Sequence, residues 1–401
     1  MNRISVVLTA LILLAFSQNS YSQNYKDLLG QDQINTITTA VPFLLIAPDS
    51  RGGAMGDIGV STTPDANSQF WNPAKYPFIE SDLGFAVNYS PWLSKLVDDI
   101  NLAYLSGYYR INNMSAVSAS LRYFSLGTIQ FTDRVGNSLG DYKPNEFSVD
   151  ATYSRKLTEN FSGAVGIRYI RSDLTQGQDA NGVLTEPGQS VAADVAVYYR
   201  KSVKWFKTKG LFAFGANVSN MGAKISYSET LERDFIPTNL RFGPSLTLEL
   251  DKYNKIMIAV DINKLLVPTP PVYALDSSGN NIPLGNGRYE IESGMDPDRG
   301  IVNALFTSFY DAPGGFSEEM REFNVGAGAE YIYDEKFFIR GGYFYEHATK
   351  GNRKFFTLGL GFKYNVFAID ISYLIPTTQA NPLENTLRFS LLFNFMNAEN
   401  Q

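Results

Sequence analysis

The residues best placed to do chemistry are charged side chains set among apolar ones. Asp150, Asp194, Glu249, Asp261, Glu330, Glu346 and Asp370, with Arg122, Arg168, Arg241, Arg340, Lys363 and Arg388, all occupy the polar positions of segments whose alternate residues are apolar. A matched pair of carboxylates could act as general acid and base, but no pair stands out from this set. Acids and bases are interleaved in nearly equal number, and a single-sign ring would instead favour ion conduction. The balance favours salt bridges that stiffen a wall over a selective lining. The only histidine, His347, follows Glu346, and a lone histidine lacks the partners of a nucleophilic triad. The chain has no cysteine, and no His or Cys cluster suggests a metal. Asp296-Pro297-Asp298 lacks the spacing of a calcium loop and reads as an acidic loop. These features predict no enzyme, no metal and no cofactor.

The elements that must position these charges repeat with period two, which is the signature of strands. Phe147, Val149, Ala151 and Tyr153 interleave with Ser148, Asp150, Thr152 and Ser154, and Phe356, Leu358, Leu360 and Phe362 with Thr357, Gly359 and Gly361. About fourteen such segments start near residues 82, 100, 114, 146, 161, 189, 210, 238, 255, 320, 336, 353, 366 and 385. Most have about the 9–11 residues that a tilted strand needs to cross a bilayer. The third could run on to Phe131. The predicted fold class is all-β, a transmembrane antiparallel β-barrel. Connections after even segments are short, as at Asn112-Asn113 and Asp334-Glu335, whereas those after odd segments are long and polar. Short periplasmic turns and long external loops produce that parity in outer-membrane barrels, and a soluble β-sandwich has no reason to. An even strand count predicts both termini in the periplasm. The charges must then face the lumen, since a charge facing lipid near the midplane costs roughly 2–4 kcal/mol.

Composition agrees. Mean hydropathy is only −0.15, yet 28 Phe and 24 Tyr accompany 33 Gly, as expected where lipid-facing and lumen-facing residues alternate. Arg3, the apolar run Ile4 to Phe16 and Ser20-Tyr21-Ser22 predict an export signal over 1–22, cleaved before Gln23. The formal net charge is −6, one unit more negative without Arg3, which argues against nucleic acid as a partner. Residues 23–81 do not alternate. Gly52-Gly53, Gly56, Gly59, Pro64 and Pro73 mark turns there, and the segment reads as a periplasmic lead-in or plug ahead of a barrel over 82–396.

The segment 264–319 is a long external loop carrying an apolar stretch, Ile301 to Tyr310, with the pattern of a short amphipathic helix. It could cap the barrel or present a binding surface. Tyr273, Phe306, Phe309 and Tyr310 are the candidate partner-binding residues, because large aromatics anchor interfaces.

Ala47-Pro48-Asp49-Ser50-Arg51-Gly52-Gly53-Ala54-Met55-Gly56-Asp57-Ile58-Gly59, followed by Asp65-Ala66-Asn67 and Trp71-Asn72-Pro73-Ala74, resembles the FadL-like outer-membrane family. Within it the chain is similar to the PorV barrels of the type IX secretion system of Bacteroidetes. That resemblance implies a noncatalytic carrier in the outer membrane. Its implied partners are the large secretion channel, secreted proteins bearing the C-terminal signal domain, the surface attachment complex and outer-membrane lipid. The alternative within the family is a transporter of fatty acids or other hydrophobic compounds, for which Gly243-Pro244 would be the candidate kink at a lateral opening.

Overall fold

The computed structural model describes residues 34–93, 99–132, 135–177, 179–180, 183–205, 208–228, 233–285, 287–377 and 386–396. The expected export signal, its cleavage point and the start of the 23–81 segment lie outside the described residues.

Fourteen antiparallel strands close into a barrel. They are β1 (Leu83–Pro91), β2 (Ile100–Arg110), β3 (Ser115–Leu126), β4 (Asn145–Lys156), β5 (Phe161–Asp173), β6 (Gly188–Trp205), β7 (Thr208–Gly222), β8 (Asn239–Glu249), β9 (Asn254–Leu265), β10 (Asn324–Tyr333), β11 (Phe337–Tyr345), β12 (Lys354–Tyr364), β13 (Phe367–Pro376) and β14 (Leu387–Phe395). Each pairs with its neighbour in sequence, and β1 closes on β14 from Leu83↔Phe395 to Tyr89↔Phe389. Closure leaves no free edge, as a spanning sheet requires where lipid offers no hydrogen bonds.

The period-two pattern translates directly into inside and outside. On β1, Leu83, Phe85, Val87 and Tyr89 are exposed, and Ala86, Asn88 and Ser90 are buried. The same apolar-out alternation runs through β4, β5 and the first part of β6. An outward apolar face on nearly every strand is stable only against lipid.

Three local features depart from simple pairing. β3 ends at Leu126 instead of reaching Phe131, because Gly127 takes a left-handed conformation (φ 77°) and turns the chain away. Ile129–Thr132 then pairs with Ser138–Tyr142 in a separate hairpin. In β6 the register against β7 shifts by one between Ala193 and Val195. Between β8 and β9 the ladder lapses at Gly243 and Pro244 and resumes without slipping, from Phe242↔Ile262 to Ser245↔Ala259. Pro244 has no N–H to give, and a Cβ on Gly243 would stand 1.8 Å from the Val260 carbonyl oxygen. The kink is therefore a close-packed irregularity in a closed wall.

Residues 35–82 run the length of the lumen. At the long-loop rim the Asn35 N–H donates to the Thr349 carbonyl, and Ala40 N–H to Phe235, both at 3.0 Å. Val41, Phe43 and Leu44 pack with Leu102, Phe124 and Ile236. Midway lie two single helical turns, α1 (Ser50–Gly53) and α2 (Ser68–Trp71). At the short-turn rim Tyr76 stacks on Tyr108 at 5.1 Å, and Asp82 N–H reaches the Phe395 carbonyl. Strand parity does put the start of β1 and the end of β14 at one rim. The chain nonetheless enters the described structure at Asn35, at the opposite rim, because this segment spans the lumen.

Backbone meets backbone where the segment passes the wall. A Cβ on Gly342 would lie 2.1 Å from the Met55 carbonyl carbon, and one on Gly328 2.3 Å from the Met55 oxygen. Neighbouring Gly341 faces the other way, with its nearest contact at 3.7 Å. Overpacking of this kind costs about 1–3 kcal/mol. Gly342→Val should lower the temperature at which the folded band is lost on SDS gels, and Gly341→Val should leave it nearly unchanged.

Candidate functional site

Two regions carry the groups that could act: the packed lumen and the surface of the long loop.

In the lumen, the inward charges form chains with the interior segment. Arg51, at the head of α1, donates Nη2 and Nε to Glu330 at 2.9 and 3.1 Å and Nη1 to Asp65 at 2.8 Å. Arg340 donates Nε to the same Glu330 at 2.6 Å and Nη1 to Asp370 at 2.5 Å. The chain Asp65–Arg51–Glu330–Arg340–Asp370 thus ties the interior segment to β10, β11 and β13. A second group joins three strands: Arg168 bridges Asp150 and Asp194, each at 2.9 Å. The β6–β7 irregularity serves this group, since Asp194 also accepts the Asn220 N–H at 2.8 Å.

The remaining inward residues meet the segment singly. Asp261 accepts the N–H groups of Gly59 and Val60 at 2.7 and 2.9 Å. Arg388 donates Nη1 to Asp57 at 2.8 Å. Arg122 donates to the carbonyl of Leu44 at 2.7 Å, and its guanidinium lies over the Phe70 ring. Arg241 donates to Asn263 at 2.6 Å and stacks over Trp71. Asp49 caps α1 through Gly52 N–H and accepts the Trp71 indole N–H at 2.6 Å.

Three of the charges expected in this network are not in it. Glu346 lies just past the end of β11 and pairs with Arg353 at 2.8 Å. Glu249 and Lys363 have the inward phase but lie at the short-turn ends of β8 and β12, where they are exposed. Glu249 comes only within 4.0 Å of Lys255. Period two assigns a face but not a depth. Conversely, the pattern gave no sign of Arg51, Asp57 and Asp65, which sit in the non-alternating stretch. The only hint was an arginine just ahead of a glycine pair, with Asp49 before it and Asp57 and Asp65 after it.

The long loop, Leu266 to Phe323, contains regular structure. Val272–Tyr273 pairs with Ile291–Ser293, and Pro283–Gly285 with Arg288–Tyr289. Two short helices follow, α3 (Ile301–Thr307) and α4 (Phe316–Arg321). The amphipathic stretch is helical to Thr307 and not to Tyr310. Residues four apart share a helix face. Val302 and Phe306 are therefore exposed together on α3, Phe316 and Met320 on α4, while Ala304 and Glu319 point down. Phe306 is 69% exposed, Tyr310 60% and Phe309 42%. Tyr273 stands apart from them in the paired strands, edge-on to Tyr289 at 5.7 Å.

Beneath these aromatics the loop is clasped to the rim. Lys264 Nζ lies 3.0 Å from Glu319 and 2.5 Å from Glu322, and Lys350 Nζ lies 2.5 Å from Glu318 and 3.0 Å from Glu322. Thr269 Oγ1 donates to Glu322 at 2.7 Å, and Asn35 Nδ2 to Glu318 at 3.0 Å. Burial would raise the Glu318 carboxyl, but Lys350 and the Gly314 N–H hold it below its ordinary range. Burial pushes Asp311 up to about 6, against the pull of Arg299. His347 caps a turn by accepting the Thr349 N–H, and the Asp296–Asp298 acids face Arg288 at 3.8 and 3.6 Å. Among the described residues no group of acidic, His or Cys side chains has the arrangement of a metal site. A cavity of about 560 Å³ lies below the clasp, bounded by Phe43, Trp92, Phe124, Phe344, Arg241 and Arg388.

A closed fourteen-strand barrel, apolar outside and threaded by its own interior segment, has the architecture of an outer-membrane barrel. The family model described as type IX secretion system protein PorV matches residues 29–272. The chain belongs to the PorV family. No curated protein matches the sequence. Among solved structures the chain is similar to the toluene transporter TbuX of Ralstonia pickettii (11% identity, TM-score 0.46, covering 88% of this chain and 100% of that one). It is also similar to a FadL homologue of Pseudomonas aeruginosa (11%, 0.44, 90% and 99%) and to the toluene transporter TodX of Pseudomonas putida (11%, 0.47, 90% and 98%).

Removing one partner of a buried ion pair costs about 3–5 kcal/mol, because the other charge stays buried. Arg340→Met, which strands Asp370 and leaves Glu330 with Arg51 alone, should lower the unfolding free energy by about that amount, read from the urea titration of tryptophan fluorescence in lipid vesicles. Lys264→Met should release the loop without unfolding the wall, and trypsin should then cut faster after Arg288 and Arg299.

Proposed function

We propose that this barrel is a carrier and adaptor of the type IX secretion system. It docks on the secretion channel, takes up substrates through their C-terminal signal domains and hands them to the surface attachment complex. It performs no catalysis. The observation that carries this reading is the family match over residues 29–272. The geometry is compatible with it: the lumen is occupied by the chain itself, and the exposed apolar groups are gathered on α3 and α4. In this reading the long loops face outward and the end of β14 lies in the periplasm, as loop parity implies. Val302, Phe306, Phe309 and Tyr310 supply the partner contact, with Tyr273 in a lesser role because it is already packed on Tyr289.

Deleting the gene should leave proteins with the C-terminal signal unattached to the cell surface; normal display in the deletion strain would refute the role. Interface anchors typically carry about 2 kcal/mol or more each. Phe306→Ala with Phe309→Ala should therefore weaken substrate or channel capture by well over tenfold in pull-downs, with the barrel still folded. Unchanged capture would remove the loop from the mechanism.

The cavity favours a second reading, a transporter of hydrophobic compounds, because Phe43, Trp92, Phe124 and Phe344 give it apolar walls. Uptake of a hydrophobic probe into vesicles carrying the purified protein would support it.

A further inference from the structure

We infer that the polypeptide enters the barrel from its long-loop mouth, so that the strap Asn35–Ala40 belongs to the same face of the membrane as the long loop. The inference goes beyond the adaptor reading and does not need it.

The path of the chain is directional at every level. Near its start, Asn35 is bonded to Thr349, Pro270 and Glu318, and Ala40 to Phe235. All four partners lie in connections on the long-loop side. Midway, Met55 abuts Gly328 and Gly342, and Gly59 N–H meets Asp261. Farther on, Ile79 accepts a bond from Arg110 at 3.0 Å, at the opposite rim where β2 turns into β3. An even-stranded barrel brings both its ends to one rim, and this chain crosses to the other before its first strand begins. The crossing is fixed in place. Between Ala47 and Phe78 most side chains are buried, and the segment bonds to strands from β1 to β14. The β1–β14 seam must therefore close around it, since a filled lumen admits no later threading.

The strap also has a mechanical consequence. Asn35 Nδ2 holds the same Glu318 that Lys350 grips. The stance of α4, and with it Phe316 and Met320, thus depends on how the strap is seated.

The absence of cysteine makes the test direct. Single variants Thr36→Cys and Thr38→Cys sit in exposed strap positions. Ser278→Cys marks the tip of the long-loop hairpin and Asn365→Cys a short turn, both exposed. Intact cells are treated with a membrane-impermeant maleimide, and opened cells serve as the total. Thr36→Cys and Thr38→Cys should label together with Ser278→Cys, and Asn365→Cys only in opened cells. Labelling of the strap sites in company with Asn365→Cys, or their failure to label where Ser278→Cys does, would overturn the inference. If strap and loop label together but only in opened cells, the inference stands and the outward orientation in the adaptor reading falls.

Discussion

The structure depends on the Arg51–Glu330–Arg340–Asp370 chain of ion pairs. Glu330 is fully buried and accepts from two guanidiniums, one on the interior segment and one on β11. Neither cation is replaceable by water in such packing, so wall and segment stabilise each other's charges. A buried charge without its partner is costly, and here each partner belongs to a different element. Glu330 draws on Arg51 as well as on Arg340, and Arg51 draws on Glu330, so wall and segment each supply a partner for the other's charge. The glycines complete the arrangement. Gly328 and Gly342 let the backbone at Met55 approach close enough for Arg51 to reach Glu330.

This interdependence explains what was legible in the amino-acid sequence. Strands announce themselves because each alternates locally. The observed starts at Leu83, Ile100, Ser115 and Asn145 fall within a residue or so of the expected ones. The inward face of Arg168, Asp150 and Asp194 follows from the same alternation. Depth does not, and so Glu249 and Lys363 have the right phase yet sit at the rim. The interior segment was readable only as a run of turns. Its bonds to the wall reach partners from 21 positions away, as between Asn67 and Asn88, to 331, as between Asp57 and Arg388. No local period encodes a partner at that distance. Resemblance in the Gly-rich motif was the one signal that this stretch mattered.

The loop uses the same chemistry for another end. Its base is polar and buried, with Lys264 and Lys350 shared among Glu318, Glu319 and Glu322. Glu318 and Glu319 also lie in the first turn of α4, where the helix dipole favours negative charge. Its top is apolar and exposed. A helix held from below by ion pairs can present Phe316 and Met320 without burying them, which a helix held by its apolar face could not. Sequence patterning identified α3 as amphipathic, but the usual expectation would turn the apolar side inward. Here Ala304 fills that role, and the larger residues face away.

A route for solutes through this lumen would have to part the interior segment from the wall. That means separating Arg51 from Glu330, Arg388 from Asp57 and Asp261 from two backbone N–H groups. Each separation would leave a charge in a space built to match it. Local opening of proteins normally draws on their least stable parts, and the segment between Ala47 and Phe78 is among the most deeply buried parts of this one, bonded to strands all around the wall. The loop above it is different. It is held chiefly by one ion-pair clasp and the strap, and its apolar groups already face outward. Change in this molecule is therefore least costly at the mouth of the barrel and most costly in its interior. That ordering suits a protein that meets its partners at a rim better than one that passes cargo through its centre.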